Sequence, residues 1–245
     1  MAINEPSPAH KTFREFLPVL NIARNNSQIQ ASLLLPLNYR FRDELMEKFN
    51  AQDYLLGILQ KAIAKKKNIS VVHDRIGELL VFTEQGEYHS EINDFPGFCR
   101  TPANELKVRE IKDKDVQSTS QKRGVGRNID ELMWQSAYYA SQGRLMEGLS
   151  LTDVVHMKHW PNLTRLPCNF NSFQMAAMMT KHPTTIVFAH RVLKVPQNEI
   201  NEFYSAAYCS GLAEMLNSPP VELSEIAESK EGTLLSRIIG RIANL

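Results

Sequence analysis

Long apolar runs are missing from this sequence. None approaches the roughly 18 residues that a bilayer-spanning helix requires, and the opening MAINEPSPAHKTFREF lacks the apolar stretch of a secretory leader. The chain is therefore expected to be soluble and cytoplasmic, with no transmembrane segment. Cysteine is scarce too: Cys99, Cys168 and Cys209 are the only three, they lie far apart, and they cannot all pair. That usage suits a reducing compartment and casts them as buried small apolar residues. An excess of either charge is also absent, since 28 Lys and Arg against 27 Asp and Glu leave a net +1. This balance excludes the broad electrostatic footprint of a general nucleic-acid binder.

The sequence also lacks the signatures of common catalysis. There is no Gly-x-Ser-x-Gly elbow, no Walker A loop, no Rossmann glycine fingerprint and no His-Glu-x-x-His. The chain is expected not to be an enzyme and to need no cofactor. His156 and His159 invite a zinc reading, but Cys168 and His182 complete no recognisable ligand spacing, so no metal is expected. His159, Trp160, Leu163 and Leu166 read instead as a structural turn, with Trp160 as a core or interface anchor.

What is present is enough apolar residue, 43% of 245 positions, for an ordered core. KTFREFLPVLNIA is a short helix candidate, and QIQASLLLPL a candidate strand. Across residues 38–68 the apolar positions Leu45, Phe49, Leu55, Leu56, Leu59 and Ile63 recur near helical spacing, which predicts one long helix or two joined near Asn50. ISVVHD, GELLVFTEQ and EYHSEI, separated by RIG and QG, then read as hairpin-linked strands. Residues 101–127 are polar and charged, and read as a linker or mobile loop. Asn128, with Glu131 three residues later, marks a helix start, and helices are expected at 171–181, 184–194 and 197–216. The fold class is thus α+β: an N-terminal helix plus small antiparallel sheet (1–100), the 101–127 linker, and a helical C-terminal domain (128–245) with a winged-helix-like or three-helix core. The first 127 residues carry +3 and the remainder −2.

Within the acidic half, RVLKVPQNEINEFY has the form of a helix-turn-helix, with Ala189, Val192, Leu193, Val195, Ile200 and Phe203 burying a shared angle. A DNA reader needs cationic donors at the start of its second helix. Here Glu199 and Glu202 stand there, and no Lys or Arg follows in that helix, although Gln197, Asn198 and Asn201 could reach bases. Packing or protein contact is the preferred use, and DNA regulation the alternative.

QKRGVGRN places Lys122, Arg123 and Arg127 ahead of a helix start, a candidate phosphate-binding set. Its Arg-x-x-x-Arg spacing resembles the first motif of cyclic-di-GMP-binding PilZ domains, which implies a cyclic-dinucleotide sensor as a further alternative. The second PilZ motif and its β-barrel setting have no counterpart in this chain. LMWQSAYYA suggests a partner-binding aromatic face of Trp134, Tyr138 and Tyr139. The last segment, TLLSRIIGRIANL, puts Leu235, Ile238, Ile239 and Ile242 on one apolar stripe suited to core packing or partner docking.

HWPNLTRLP, followed by FYSAAYCSGLAEML, resembles part of a group of small proteobacterial regulatory proteins, some associated with type IV pili and surface motility. The likeness spans residues 129–216. It implies a regulator or adaptor that works through protein contacts in motility or surface signalling, and it carries no catalytic motif.

Overall fold

Apolar residues on the two sides of Asn50 enter different kinds of structure. Lys48–Phe49 forms a two-residue strand, β1, and the Asn50 side chain accepts the Gln52 amide at 2.8 Å to start a 3-10 turn at Ala51–Asp53. Helix α1 begins only at Leu55 and runs Leu55–Ala64. The expectation of one long helix, or two joined near Asn50, is thus corrected at Phe49, which is 1% exposed and belongs to a strand pair, a tertiary demand that overrides helical spacing. The computed structural model describes Asp43 and residues 46–112 and 125–216, all within one compact unit. The candidate elements KTFREFLPVLNIA, QIQASLLLPL and TLLSRIIGRIANL lie outside the described residues.

The hairpin reading holds. Ile69–His73 (β2), Gly77–Phe82 (β3) and Glu87–Ile92 (β4) pair antiparallel in succession. After helix α2 (Phe95–Arg100), strand β5 (Lys107–Glu110) pairs with β2, and β6 (Arg127–Asn128) pairs with β4. The sheet order is β5-β2-β3-β4-β6. Within the expected 101–127 linker, Lys107–Glu110 and Arg127 belong to edge strands of this sheet, whereas 113–124 lie outside the described residues. The polar composition that suggested a loop is what an exposed edge strand carries, and Lys107, Val108, Arg109 and Glu110 are all exposed.

Strand β3 reads as a continuous apolar run because it is buried on both faces. Leu79 and Val81 join the main core with Val71 and Tyr88, while Leu80 and Phe82 pack with Ile111 on the opposite face. The β2–β3 turn requires Gly77, whose φ is +136° and whose absent Cβ would overlap the Glu91 carbonyl oxygen. Gly77→Ala is expected to destabilise by about 3 kcal/mol or more. Gly86→Ala, with φ +67° but open space, should cost only about 1–2 kcal/mol. Urea midpoints of the two variants check this ordering; equal losses would contradict it.

Helix α3 (Ile129–Ser141) is the central element. Asn128 caps it as expected, accepting the Asp130 amide at 2.7 Å. Its far end closes with Gln142 in the left-handed conformation, and Arg144 donates to the Ala140 and Ser141 carbonyls at 3.2 and 3.1 Å. The same guanidinium reaches the Tyr54 hydroxyl at 3.1 Å, tying α3 to the turn before α1. Leu132, Trp134 and Ala137 share one core with Leu55, Leu56 and Leu59, so the chain on both sides of 101–127 buries a common set of side chains.

Strand β7 (Leu145–Met146) runs parallel to β1. Beyond it come β8 (Val154–Met157), α4 (Ser172–Lys181), β9 (Thr184–Thr185), α5 (Ile186–Leu193), α6 (Gln197–Cys209) and β10 (Ala213–Leu216). The helix expected at 197–216 is shortened. It stops at Cys209, Gly211 takes φ +74°, and β10 turns back to pair antiparallel with β8. Strand β8 lies between β10 and β9. The described chain is α+β, with six α-helices among the described residues.

Candidate functional site

Helices α5 and α6 meet through Lys194, Val195 and Pro196, with Lys194 left-handed at φ +53°. Ala189, Val195, Ile200 and Phe203 are buried at that junction, while Val192 and Leu193 are half-buried. The polar groups that could have read bases are bound elsewhere in the chain. Gln197 donates to Asn201 at 2.9 Å, and Asn201, 2% exposed, donates to the Gly143 carbonyl at 2.9 Å. Glu199 accepts from Asn171 at 2.8 Å. Of the polar residues Gln197, Asn198, Glu199 and Asn201 at this helix start, Asn198 is the exposed one, and α6 lies against α3 and β7, with Ser205 Oγ accepting the Met146 amide at 3.2 Å.

The expected aromatic face divides. Trp134 is 0% exposed: its ring meets Phe203 edge-on with centroids 5.5 Å apart, and its Nε1 donates to the Pro167 carbonyl at 3.0 Å. Its place in a surface set with Tyr138 and Tyr139 is corrected to a core position, because a helix buried nearly all round offers no free face for a ring that large. Tyr138 and Tyr139 are half-buried and meet edge-on, centroids 5.7 Å apart, and the Arg100 guanidinium sits 5.9 Å from the Tyr139 ring.

Beside Tyr138, burial, reinforced by Glu199, raises the half-buried Glu202 carboxyl above the usual range, although the nearby Gly143 amide and Tyr138 hydroxyl act to lower it. A raised folded-state pKa favours the protonated form, so the associated stability is present at low pH and is lost as pH rises through the folded value. Glu202→Gln is expected to raise the melting temperature at neutral pH, with the gain shrinking toward about pH 4, the ordinary glutamate range. A melting-temperature difference that stays constant over that interval would contradict the assignment.

Of the possible phosphate set, Lys122 and Arg123 lie outside the described residues. Arg127 is engaged: it pairs with Glu131 at 3.2 Å and lies 5.4 Å from the Tyr88 ring centre. Glu131 also receives Arg165 at 3.3 Å, so an anion at Arg127 would compete with a two-arginine carboxylate site. Leu235, Ile238, Ile239 and Ile242 lie outside the described residues. His156 stands 3.6 Å from Glu214, and among the described residues no three His, Cys, Asp or Glu side chains are grouped to hold a metal. Cys99 is fully buried, and burial pushes its thiol up to about 12, away from any reactive thiolate at neutral pH. An open depression of about 410 Å³ at His73, Asp74, Arg75 and Glu105 has its carboxylate Asp74 bound by Lys107 at 2.6 Å. Among the described residues no helix is long and apolar enough to cross a membrane.

Exposed aromatic residues of which the sequence reading singled out only Trp160, as a core or interface anchor, lie between β8 and the first turn of α4. Trp160, Phe170 and Phe173 are 51%, 61% and 49% exposed, and they are the exposed aromatic residues among those described. Their segment is pinned from below. Leu163 and Leu166 are buried, Pro167 receives the Trp134 indole, and Arg165 reaches Glu131. Asn162 organises a local turn by accepting the Arg165 and Leu166 amides at 3.0 and 3.1 Å. Asn169 and Ser172 bond one another at the start of α4, with Asn169 N–H to Ser172 Oγ at 3.1 Å. Of the expected structural turn at His159, Trp160, Leu163 and Leu166, the two leucines are core and Trp160 is surface. The available sequence signal was large aromatic residues interleaved with Asn and Thr at neither helical nor strand period.

No protein-family model, curated protein or solved structure matches the chain.

Proposed function

We propose that this protein is a non-enzymatic regulatory adaptor that docks a protein partner on the aromatic ridge of Trp160, Phe170 and Phe173. The observation that carries this reading is that the exposed aromatics of the described chain fall within one short segment, 160–173, whose backbone is anchored to the core. Binding energy in protein interfaces concentrates on a few large side chains presented by rigid supports, and Trp leads that group. A ring held on an ordered backbone loses little further freedom on association. A cytoplasmic location, and a place in motility or surface signalling through the resemblance of residues 129–216, belong to the same proposal. The winged-helix-like junction of α5 and α6 serves in it as a packing device, its polar groups satisfied within the fold.

The test is affinity capture of the tagged full chain from nuclease-treated native lysate, run beside a Trp160→Ala/Phe173→Ala variant. A specific protein that survives nuclease and is lost with the variant is the expected result. Capture that vanishes with nuclease, or that is equal for both proteins, would overturn the reading and return attention to α6.

A further inference from the structure

Two carboxylates stand against the Phe170–Phe173 end of the ridge, held there by contacts across the fold. Glu199 accepts at 2.8 Å from the side chain of Asn171, which lies between the two phenylalanines in sequence, and Asn171 accepts in turn from Gln174 at 2.7 Å. Glu202 follows three residues further along α6, on the same helix face. Both carboxylates bear electrostatically on Tyr138, as does Cys168 of the ridge segment, so α3 closes the same corner. Among the described residues neither Glu199 nor Glu202 has an ion-pair partner, and Arg100 is the weakest of the influences on the Glu202 carboxyl. The cations of the ridge segment are already matched: Lys158 by Glu214 at 3.9 Å, and Arg165 by Glu131 at 3.3 Å. Arg127, the second cation on Glu131, lies against the Tyr88 ring of the sheet. The unmatched charge beside the ridge is therefore the Glu199 and Glu202 pair.

Resting on the ridge as the docking surface, we propose that its occupant is a protein segment that presents an arginine or lysine to Glu199 and Glu202 while its apolar side chains seat on the ridge aromatics. Like charges three residues apart on a helix repel, and partial burial strengthens that repulsion. A cation seated between the two carboxylates removes it. Arginine suits the place best, because its planar fork of donors can bond both carboxylates at once. The aromatic anchors supply the buried area, and the charge pair selects among partners and sets their register. A nucleic acid is disfavoured, since its phosphate backbone would meet these same carboxylates.

The experiment measures fluorescence anisotropy of two labelled peptides against the full chain. The peptides have equal length and the same Leu and Phe anchors, one spaced by Arg and Lys and the other by Asp and Glu. The basic peptide is expected to bind at least ~10-fold more tightly than the acidic one, and to weaken several-fold between about 50 and about 500 mM NaCl. Glu199→Gln/Glu202→Gln, which keeps the size and the acceptor oxygens of both side chains, should weaken it by about ten-fold while circular dichroism shows the fold intact. Binding of the basic peptide should also strengthen as pH rises from about 4 and the carboxylates ionise, and the double Gln variant should lose that dependence. Equal binding of both peptides, lost in Trp160→Ala/Phe173→Ala, overturns the carboxylate assignment and leaves the ridge standing. Basic-peptide binding that is lost in Glu199→Gln/Glu202→Gln but untouched by Trp160→Ala/Phe173→Ala overturns the ridge and the inference that rests on it. No binding of the basic peptide, tighter binding of the acidic one, or a basic preference that survives Glu199→Gln/Glu202→Gln overturns the inference.

Discussion

Trp134→Ala should remove about 3–5 kcal/mol of stability, the range for deleting a large buried aromatic side chain. The chain has two tryptophans, and this one is fully enclosed between α3 and α6, with Phe203 edge-on to its ring. Domain stabilities are typically about 5–15 kcal/mol, so the loss takes a large share and should lower the melting temperature by roughly 10 °C. Trp134→Phe separates two contributions. It keeps much of the ring volume but leaves the Pro167 carbonyl without its indole donor, and a loss of about 1–3 kcal/mol is expected. Urea unfolding of the three proteins measures both steps. If Trp134→Ala were as stable as the parent, the residue would not be core, and the aromatic face first read from the sequence would have to be reconsidered.

Trp160→Ala/Phe173→Ala should do the opposite. Both side chains are about half exposed, so truncation is expected to change stability by only about 0.5 kcal/mol or less per site. Partner binding should fall by at least ~100-fold, about 2.7 kcal/mol, since two central aromatic anchors each contribute on the order of 1–2 kcal/mol or more. The contrast between the two tryptophans makes the prediction sharp: one variant loses the fold, the other loses binding with the fold intact. Trp134→Phe connects them. If the indole's bond to Pro167 orients the ridge, this variant should show a modest binding loss beyond its loss of stability, measured well below its melting temperature.

How much of this was legible in the sequence depended on how local the causes were. The three hairpin strands declared themselves because RIG and QG supply turn glycines, and Gly77 and Gly86 both take positive φ. The start of α3 was legible because a cap is decided by adjacent residues, and Asn128 fulfils it. The parallel pairing of Phe49 with Met146 was not, since nothing near Phe49 announces a partner so distant in the chain. The same holds for β10, whose Ala213 pairs with Met157 and so ends a helix that its own composition would have continued.

For the site, residue type was readable and exposure was not. Trp134 and Trp160 look equally suited to a surface from sequence. The first sits on a helix that is buried nearly all round, and the second sits on an irregular segment whose Leu163 and Leu166 are buried. Polar residues misled in the same way: Gln197 and Asn201 have the chemistry to read bases, yet they spend it on each other and on Gly143.

The most direct test of the ridge as the working surface is site-specific photocrosslinking. A benzophenone amino acid is placed in the full chain at Phe173 and, separately, at Asn198, the exposed position at the start of α6, and each protein is irradiated in living cells. Crosslinks to a discrete protein from position 173, with none from 198, are the predicted result. Crosslinks from 198 alone, to protein or to nucleic acid, would contradict the account and make α6 the surface that this protein uses.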